Sequence, residues 1–427
     1  MAEILSKPRQ QDKKKRRVVI TGLGVITPNG IGKEKFWKAL KEGKSGIKKI
    51  TRFDTSSYPS QIAGEINDFD PTDYMSPKSA RRMDRFTQLA VATGRMAIED
   101  SQLPINKKEN KKSAIVIGSS LGGLPYAEFQ HAIFLEKGIN RTDPLLAIRL
   151  FCGEASSQMS IELGIKGPCY TISTGCVAGA DAIGYGLMLI RNGIVNVVIA
   201  GGAEAPLAPM TFGAFCRLGA LSQTNSNPQK ASRPFDKNRD GFVMSEGAGA
   251  VILEELEHAL KRNAHIYAEL VGYGATSDAF HMTRASDDAE GIVRAIRMAL
   301  KDARLDIKKI DYINAHGTST LVGDRIETYA FKKVFGPYAY KIPISATKSM
   351  IGHSIGGAGA IEIVASALTI ERGFIHPTIN YETPDPDCDL NYVPNKGIET
   401  EVNVVLSNSV SFGSRNAAIV IKKYKGG

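Results

Sequence analysis

The sequence predicts an α/β protein of two similarly ordered halves, stacked as layers α-β-α-β-α. Three observations carry this. Short apolar runs closed by Gly-rich turns alternate with stretches of helical spacing, which implies mainly parallel, buried sheets with mixed edges. The alternation restarts near residue 263, so residues 17–262 and 263–427 read as the two halves of an internal duplication, behind a basic leader at 1–16. At 427 residues the chain is also too long for one small core.

In order along the chain, RVVITGLGVIT (17–27) is a buried strand closed by the turn signal Pro28 to Gly30. A helical segment follows near Lys35 to Lys41. Apolar residues at helical spacing (Met83, Phe86, Leu89, Ala90, Ala97) mark a helix over 79–100, starting near Pro77. SAIVIGSSLGG is a strand with a Gly-rich turn, and Cys169 to Ser173 is another strand. A small-residue helix covers Val177 to Arg191 and stops at Asn192-Gly193. Strands at Val195 to Ala200 and Gly249 to Glu254 complete the first half. The second half repeats the programme: strand AHIYAELVGYGAT, helix Ala289 to Ala303, strand DYINAHGTST, strand KIPISATKSMIGHS and a helix through Arg372. VNVVLSNSVSFGS and AAIVIKKY form a closing hairpin.

Composition narrows the function classes. Apolar residues at 43% with 23% charged fit a globular protein. No apolar run reaches eighteen residues, so no transmembrane helix and no membrane partner is expected. The N-terminus lacks the apolar core of a secretory signal. The net charge is +10, and residues 1–17 hold seven Lys or Arg against Glu3 and Asp12. With no aromatic interleaved, that leader reads as a solvated tail rather than a nucleic-acid arm. The remaining positive charge suits an acidic protein partner. Five cysteines (Cys152, Cys169, Cys176, Cys216, Cys388) make no CxxC pair and no Cys/His zinc spacing, so reduced thiols in a cytoplasm and no metal are expected.

One cysteine stands apart. Cys176 lies where an apolar strand turns abruptly into a helix, facing unpaired backbone N–H groups and the positive end of the dipole, which favour thiolate. Small neighbours (Gly175, Ala178, Gly179, Ala180) leave room for a substrate. The other four cysteines read as core residues. Only seven histidines occur, and His316 and His353 each follow an apolar strand, the end where sites assemble in α/β sheets. One nucleophile and two donors for a developing oxyanion suit acyl chemistry.

These residues sit in long motifs: STGCVAGA, RPFDKNRDGFVMSEGAGA, NAHGTST, SATKSMIGHSIGGAGAIE, TPDPDCDLNYVPN and NSVSFGSRN. In that order they resemble the β-ketoacyl-acyl carrier protein synthases of the elongating type, in the thiolase-fold superfamily, over roughly Arg17 to Tyr424. The resemblance implies the thiolase-like, duplicated five-layer fold. It also implies decarboxylative Claisen condensation of an acyl chain on Cys176 with malonyl-acyl carrier protein. His316 and His353 then hold the malonyl thioester carbonyl and stabilise its enolate, while the Cys176 and Phe412 N–H groups form the oxyanion hole. Lys348 pairs with Glu362; Asp324 and Glu327 orient the histidine loop; Thr318 and Thr320 line the phosphopantetheine tunnel. Leu121 and Phe215 are candidate walls of the acyl pocket, with plain core packing as the other reading. No cofactor is implied, because phosphopantetheine arrives on the carrier. Two histidines, rather than His plus Asn, speak against a coenzyme A-primed synthase or thiolase. The retained Cys176, His316, His353 and Lys348 speak against a non-catalytic chain-length factor.

Two departures matter. The fatty-acid branch ends in a motif like NSFGFGGTN, whereas this chain has Val410, Ser411, Ser414 and Arg415, keeping the gatekeeper Phe412 opposite Asp278. Fewer glycines imply a stiffer gate. The run TGCVAGADAIG resembles the catalytic ketosynthase subunit of type II polyketide synthases, which puts that pathway ahead of fatty-acid elongation. It also implies either a homodimer or a heterodimer with a homologous chain-length factor. An acidic carrier calls for a basic docking patch, and Lys78, Arg81 and Arg82 fall at the matching positions; a solvated helix face is the bland alternative.

Overall fold

A computed structural model describes residues 15–105, 109–413 and 415–426. The leader as far as residue 14, and Ser414 of the gate motif, lie outside the described residues. Lys15 and Arg16, assigned to the leader by sequence, are anchored: Lys15 pairs with Asp302 at 3.1 Å, and Arg16 donates to the Ile190 and Val195 carbonyls, both at 3.1 Å.

Five main strands build the first sheet, with the two-residue strand Gly30–Ile31 added on β1: β1 (Val18–Thr27), β2 (Ser113–Gly118), β3 (Cys169–Ile172), β4 (Val197–Glu204) and β5 (Gly247–Glu255). Five build the second: β6 (Ala268–Ser277), β7 (Tyr312–Asn314), β8 (Ile344–Ser345), β9 (Val404–Ser411) and β10 (Arg415–Lys422). The orders are β3-β2-β4-β5-β1 and β8-β7-β9-β10-β6. In each sheet the fifth strand runs antiparallel to both neighbours and the other pairings are parallel. The duplication is thus written in the topology. The two sheets also meet edge to edge, through three antiparallel pairs from Val18↔Leu270 to Ile20↔Ala268.

Helices fill the layers in the way the apolar spacing requires. On the outer face of the first sheet, α1 (Arg85–Ser101) and α2 (Glu154–Leu163) bury Phe86, Leu89 and Met159 against Ile115, Ile199 and Ile252. The middle layer is α3 (Ala178–Arg191) with α6 (Ala358–Arg372), while α4 (Glu290–Ala303) and α5 (Leu321–Phe335) cover the far face of the second sheet. Both α3 and α6 touch both sheets. Nearly every residue of α6 is buried, and its Ile361, Val364 and Leu368 share one core with Ile183 and Leu187 of α3. The architecture is the thiolase-like five-layer α-β-α-β-α fold.

Several elements differ from the sequence reading. The helix expected from Pro77 is two pieces, Pro77–Ala80 and α1, because Asp84 caps a fresh start by accepting from the Arg85 N–H. The strand expected over KIPISATKSMIGHS shrinks to β8, and Lys348–Ile351 coils into a short helix. Cys169, read as a core residue, is exposed on edge strand β3, whereas Cys388 is buried; all five thiols are free. Among the described residues no helix is long and apolar enough to cross a membrane.

Candidate active site

The duplication decides where the chemistry sits. Cys176 follows β3, the third strand of its sheet, on a single 3-10 turn (Gly175–Val177) that feeds α3. His353 follows β8, the third strand of the other sheet, just before the turn Ile355–Gly357 that feeds α6. The helix starts cross on small residues: a Cβ on Gly179 would fall 2.9 Å from the Ala360 nitrogen, and one on Gly359 would fall 2.8 Å from the Ala180 nitrogen. No side chain fits at that crossing. The TGCVAGA and IGGAGA runs therefore serve packing first, and through packing they bring a thiol and an imidazole from distant segments to one place.

Cys176 and both histidines line one cavity of about 430 Å³. Gly175 holds φ +72°, and its missing Cβ leaves space for Ser411, whose Oγ would otherwise lie 2.2 Å away. The Cys176 N–H donates to Ser411 Oγ at 2.9 Å, and the Ser411 hydroxyl donates to the Phe412 carbonyl at 2.9 Å. Burial pushes the Cys176 thiol up to about 11, against the opposing pull of the Ser411 hydrogen bond and the Lys348 charge. The thiolate expected from the helix N-terminus alone is therefore not the dominant form: desolvation outweighs the dipole.

His316 leaves β7 and is 8% exposed. Glu327 fixes its loop by accepting from the N–H groups of His316 (2.7 Å) and Gly317 (2.8 Å) and from Asn408 Nδ2 (2.7 Å). Lys348 Nζ lies 3.3 Å from His316 Nδ1. An ammonium has only donors, so Nδ1 accepts and the ring proton belongs on Nε2. The two imidazoles stand edge to face, 5.3 Å between centroids. Burial, reinforced by the Lys348 charge and the other ring, holds His316 well below the usual imidazole range. Burial and Lys348 do the same to His353, whose Nδ1 has no hydrogen-bond partner among the described residues. Both rings are thus neutral near pH 7 and able to donate without carrying charge.

Lys348 forms a buried ion pair with Glu362 of α6. Burial raises Glu362 to about 7 and Glu327 to about 7, and lifts Asp324 to about 6 against the nearby Arg239. Asp324 accepts from the Phe235 N–H at 2.8 Å, so it ties the histidine segment to the RPFDKNRDG loop.

The remaining sequence-derived candidates divide. Thr318 and Thr320 line the cavity and share a 3.0 Å hydroxyl bond; Phe215 and Phe412 line it too. Leu121 is outside the cavity wall; like Phe215 and Cys176, it packs against the buried cluster that includes Phe212, Phe242 and Ile355. Asp278 accepts from Nδ2 of Asn416, the last residue of the gate motif, at 2.6 Å. The two gate loops also meet through the Gly413 N–H and the Met282 carbonyl, at 2.7 Å. Lys78, Arg81 and Arg82 are exposed, apart from the cavity lining, and Arg149 donates to the backbone carbonyls of both arginines.

Two residues escaped the sequence reading. Glu204, buried at the end of β4, accepts from the Ser120, Leu121 and Gly356 N–H groups and the Ser119 hydroxyl, binding the loop after β2 to the turn before α6. An acid inside the apolar run GGAEA was the available signal. Ser411 was read only as a lost glycine, and its contact with Cys176 joins residues 235 apart.

Residues 15–259 match the family described as Beta-ketoacyl synthase, N-terminal domain, and residues 267–382 the corresponding C-terminal domain. The chain is 47% identical over 409 residues to 3-oxoacyl-[acyl-carrier-protein] synthase 2 of Coxiella burnetii, covering 96% of this chain and 99% of the relative. It is 44% identical over 410 residues to the protein of that name in Staphylococcus aureus, with the same coverage. Among solved structures, the ishigamide ketosynthase/chain length factor superposes with TM-score 0.90 at 40% identity, over 96% of this chain and 100% of that one. A type II polyketide ketosynthase in complex with its acyl-carrier protein, bound to the hexaketide, gives 0.87 at 37%, over the same shares.

Proposed function

Because the chain belongs to the β-ketoacyl synthase family and is a condensing acyltransferase, we propose that Cys176 carries the acyl chain and that His316 and His353 drive the decarboxylation of a carrier-bound malonyl unit. The meeting of one thiol and two neutral imidazoles on a single cavity supports this reading most strongly. In the first step Cys176 Sγ forms a thioester with the acyl carbonyl, the carbon–sulfur bond to the carrier breaks, and the thiol proton leaves with the carrier. In the second, malonyl-carrier enters. The His316 and His353 N–H groups take the charge that moves onto its thioester oxygen as carbon dioxide departs. The enolate carbon then attacks the acyl carbonyl and expels Cys176, which regains a proton. Neutral rings suit this task, since a fixed positive charge would hold the malonate carboxylate instead of the developing enolate. Lys348, held by Glu362, keeps the His316 proton on Nε2.

Phosphopantetheine enters on the carrier past Thr318 and Thr320, so no resident cofactor is required. The acidic carrier docks on the face bearing Lys78, Arg81 and Arg82. A homologous chain, either a second copy or a chain-length factor, pairs along edge strand β3, whose Cys169 and Tyr170 are exposed. Five free thiols suit a reducing cytoplasm. The identities of 44–47% to 3-oxoacyl-carrier synthases favour fatty-acid elongation, and the fit to the type II polyketide ketosynthase supports polyketide extension. Release of labelled carbon dioxide from carboxyl-labelled malonyl-carrier tests the chemistry. The wild type, loaded with an acyl group, releases label together with a β-ketoacyl product, and the product masses separate the pathways. Label release without a condensed product would overturn the reading.

A further inference from the structure

The oxyanion site is already filled by the protein itself. Resting on the proposed role of the Cys176 N–H as oxyanion donor, the following goes one step beyond it. That N–H donates to Ser411 Oγ at 2.9 Å, and the hydroxyl donates to the Phe412 carbonyl, also at 2.9 Å. Ser411 Oγ thus presents a lone pair to Cys176, as the carbonyl oxygen of an acyl thioester must. The fit is built from both sides. Gly175, at φ +72°, lacks the Cβ that would fall 2.2 Å from Ser411 Oγ, and Ser411 pairs with Arg415 at the end of the hairpin, which holds its backbone in place. One N–H cannot hold two oxygens at the same point, so the thioester and the serine compete.

We propose that the Ser411 hydroxyl is a displaceable plug of the oxyanion hole, occupying it in the unacylated enzyme and rotating out when the acyl carbonyl enters. Acyl transfer then carries a cost that simple alkylation of the thiol does not. As the Cys176–acyl bond forms and the carrier–sulfur bond breaks, the carbonyl oxygen needs the N–H. Alkylation by iodoacetamide displaces iodide at a saturated carbon and generates no oxyanion. Ser411 is in this sense a gate on the first half-reaction, set by one hydroxyl.

The test measures two rates on Cys176 by intact mass: acylation by an acyl-N-acetylcysteamine thioester and alkylation by iodoacetamide. Their ratio cancels changes in thiol exposure or acidity. In Ser411→Ala the ratio rises about three- to tenfold, the range expected for removing one competing hydrogen bond. Ser411→Gly, which restores the glycine of the fatty-acid motif, moves it in the same direction, and Ser411→Thr, which keeps the hydroxyl, leaves it near the wild-type value. A ratio that stays flat or falls in both Ser411→Ala and Ser411→Gly overturns the plug. Absence of any acyl mass on wild-type Cys176 would instead sink the underlying role of the cysteine, so the two failures are distinguishable.

Discussion

At the scale of single residues, burial sets the chemistry. A thiol raised to about 11 is mostly protonated at neutral pH, so Cys176 alkylation should climb about tenfold per pH unit well past 8.5, where an ordinary cysteine levels off. A plateau near 8.5 in the alkylation profile would contradict this. The two lowered imidazoles should push the acid limb of decarboxylation below pH 6.5, since they stay neutral until the pH falls to their reduced values. Lys348→Met should cost about 3–5 kcal/mol of stability, because it strands the Glu362 carboxylate in the core, and Lys348→Met with Glu362→Met should recover most of that in thermal unfolding without recovering activity. The thiol, both histidines and the lysine were legible because each sits in a long motif beside a strand end. Glu204 and Ser411 were not. Their work is hydrogen bonding to backbone groups brought close only by folding: the acid in GGAEA marks Glu204 as unusual, but no local pattern names the partners of either residue.

At the scale of elements, the crossing of α3 and α6 is the joint that the site hangs on. A methyl group added at Gly179 or Gly359 meets backbone of the opposite segment at 2.8–2.9 Å, which a rigid helix start relieves only by moving. Gly179→Ala should therefore lose about 1–3 kcal/mol in denaturant unfolding and lower condensation by spreading Cys176 from His353. Unchanged stability and turnover would show that the crossing has slack. Strands β1, β4, β5 and the closing hairpin were readable as apolar runs, and α3 and α4 as periodic ones. The helices Leu124–Lys137 and Glu154–Leu163 were not. The first places Phe129, Phe134 and Leu135 in solvent, so it shows no one-sided apolar stripe to find.

At the scale of the whole molecule, a duplication has been put to asymmetric use. Each half supplies the turn after its third strand, and one turn carries a thiol where the other carries an imidazole. The repeated order of strands and helices made the duplication visible in sequence, whereas the strand order and the seam between β1 and β6 depend on pairing register that no single strand encodes. Charge reversal at Arg81 and Arg82 should raise KM for carrier-bound substrates and spare small thioesters; equal losses on both would count against docking there. The most direct measurement follows the mass of the intact protein as acyl-carrier and then malonyl-carrier are added. The wild type should gain one acyl group and lose it on the second addition. Cys176→Ala should never gain it, and His316→Ala or His353→Ala should gain it but discharge it roughly a hundredfold more slowly or worse. An acyl mass on Cys176→Ala, or histidine variants that discharge at the wild-type rate, would contradict a single site shared by the three side chains.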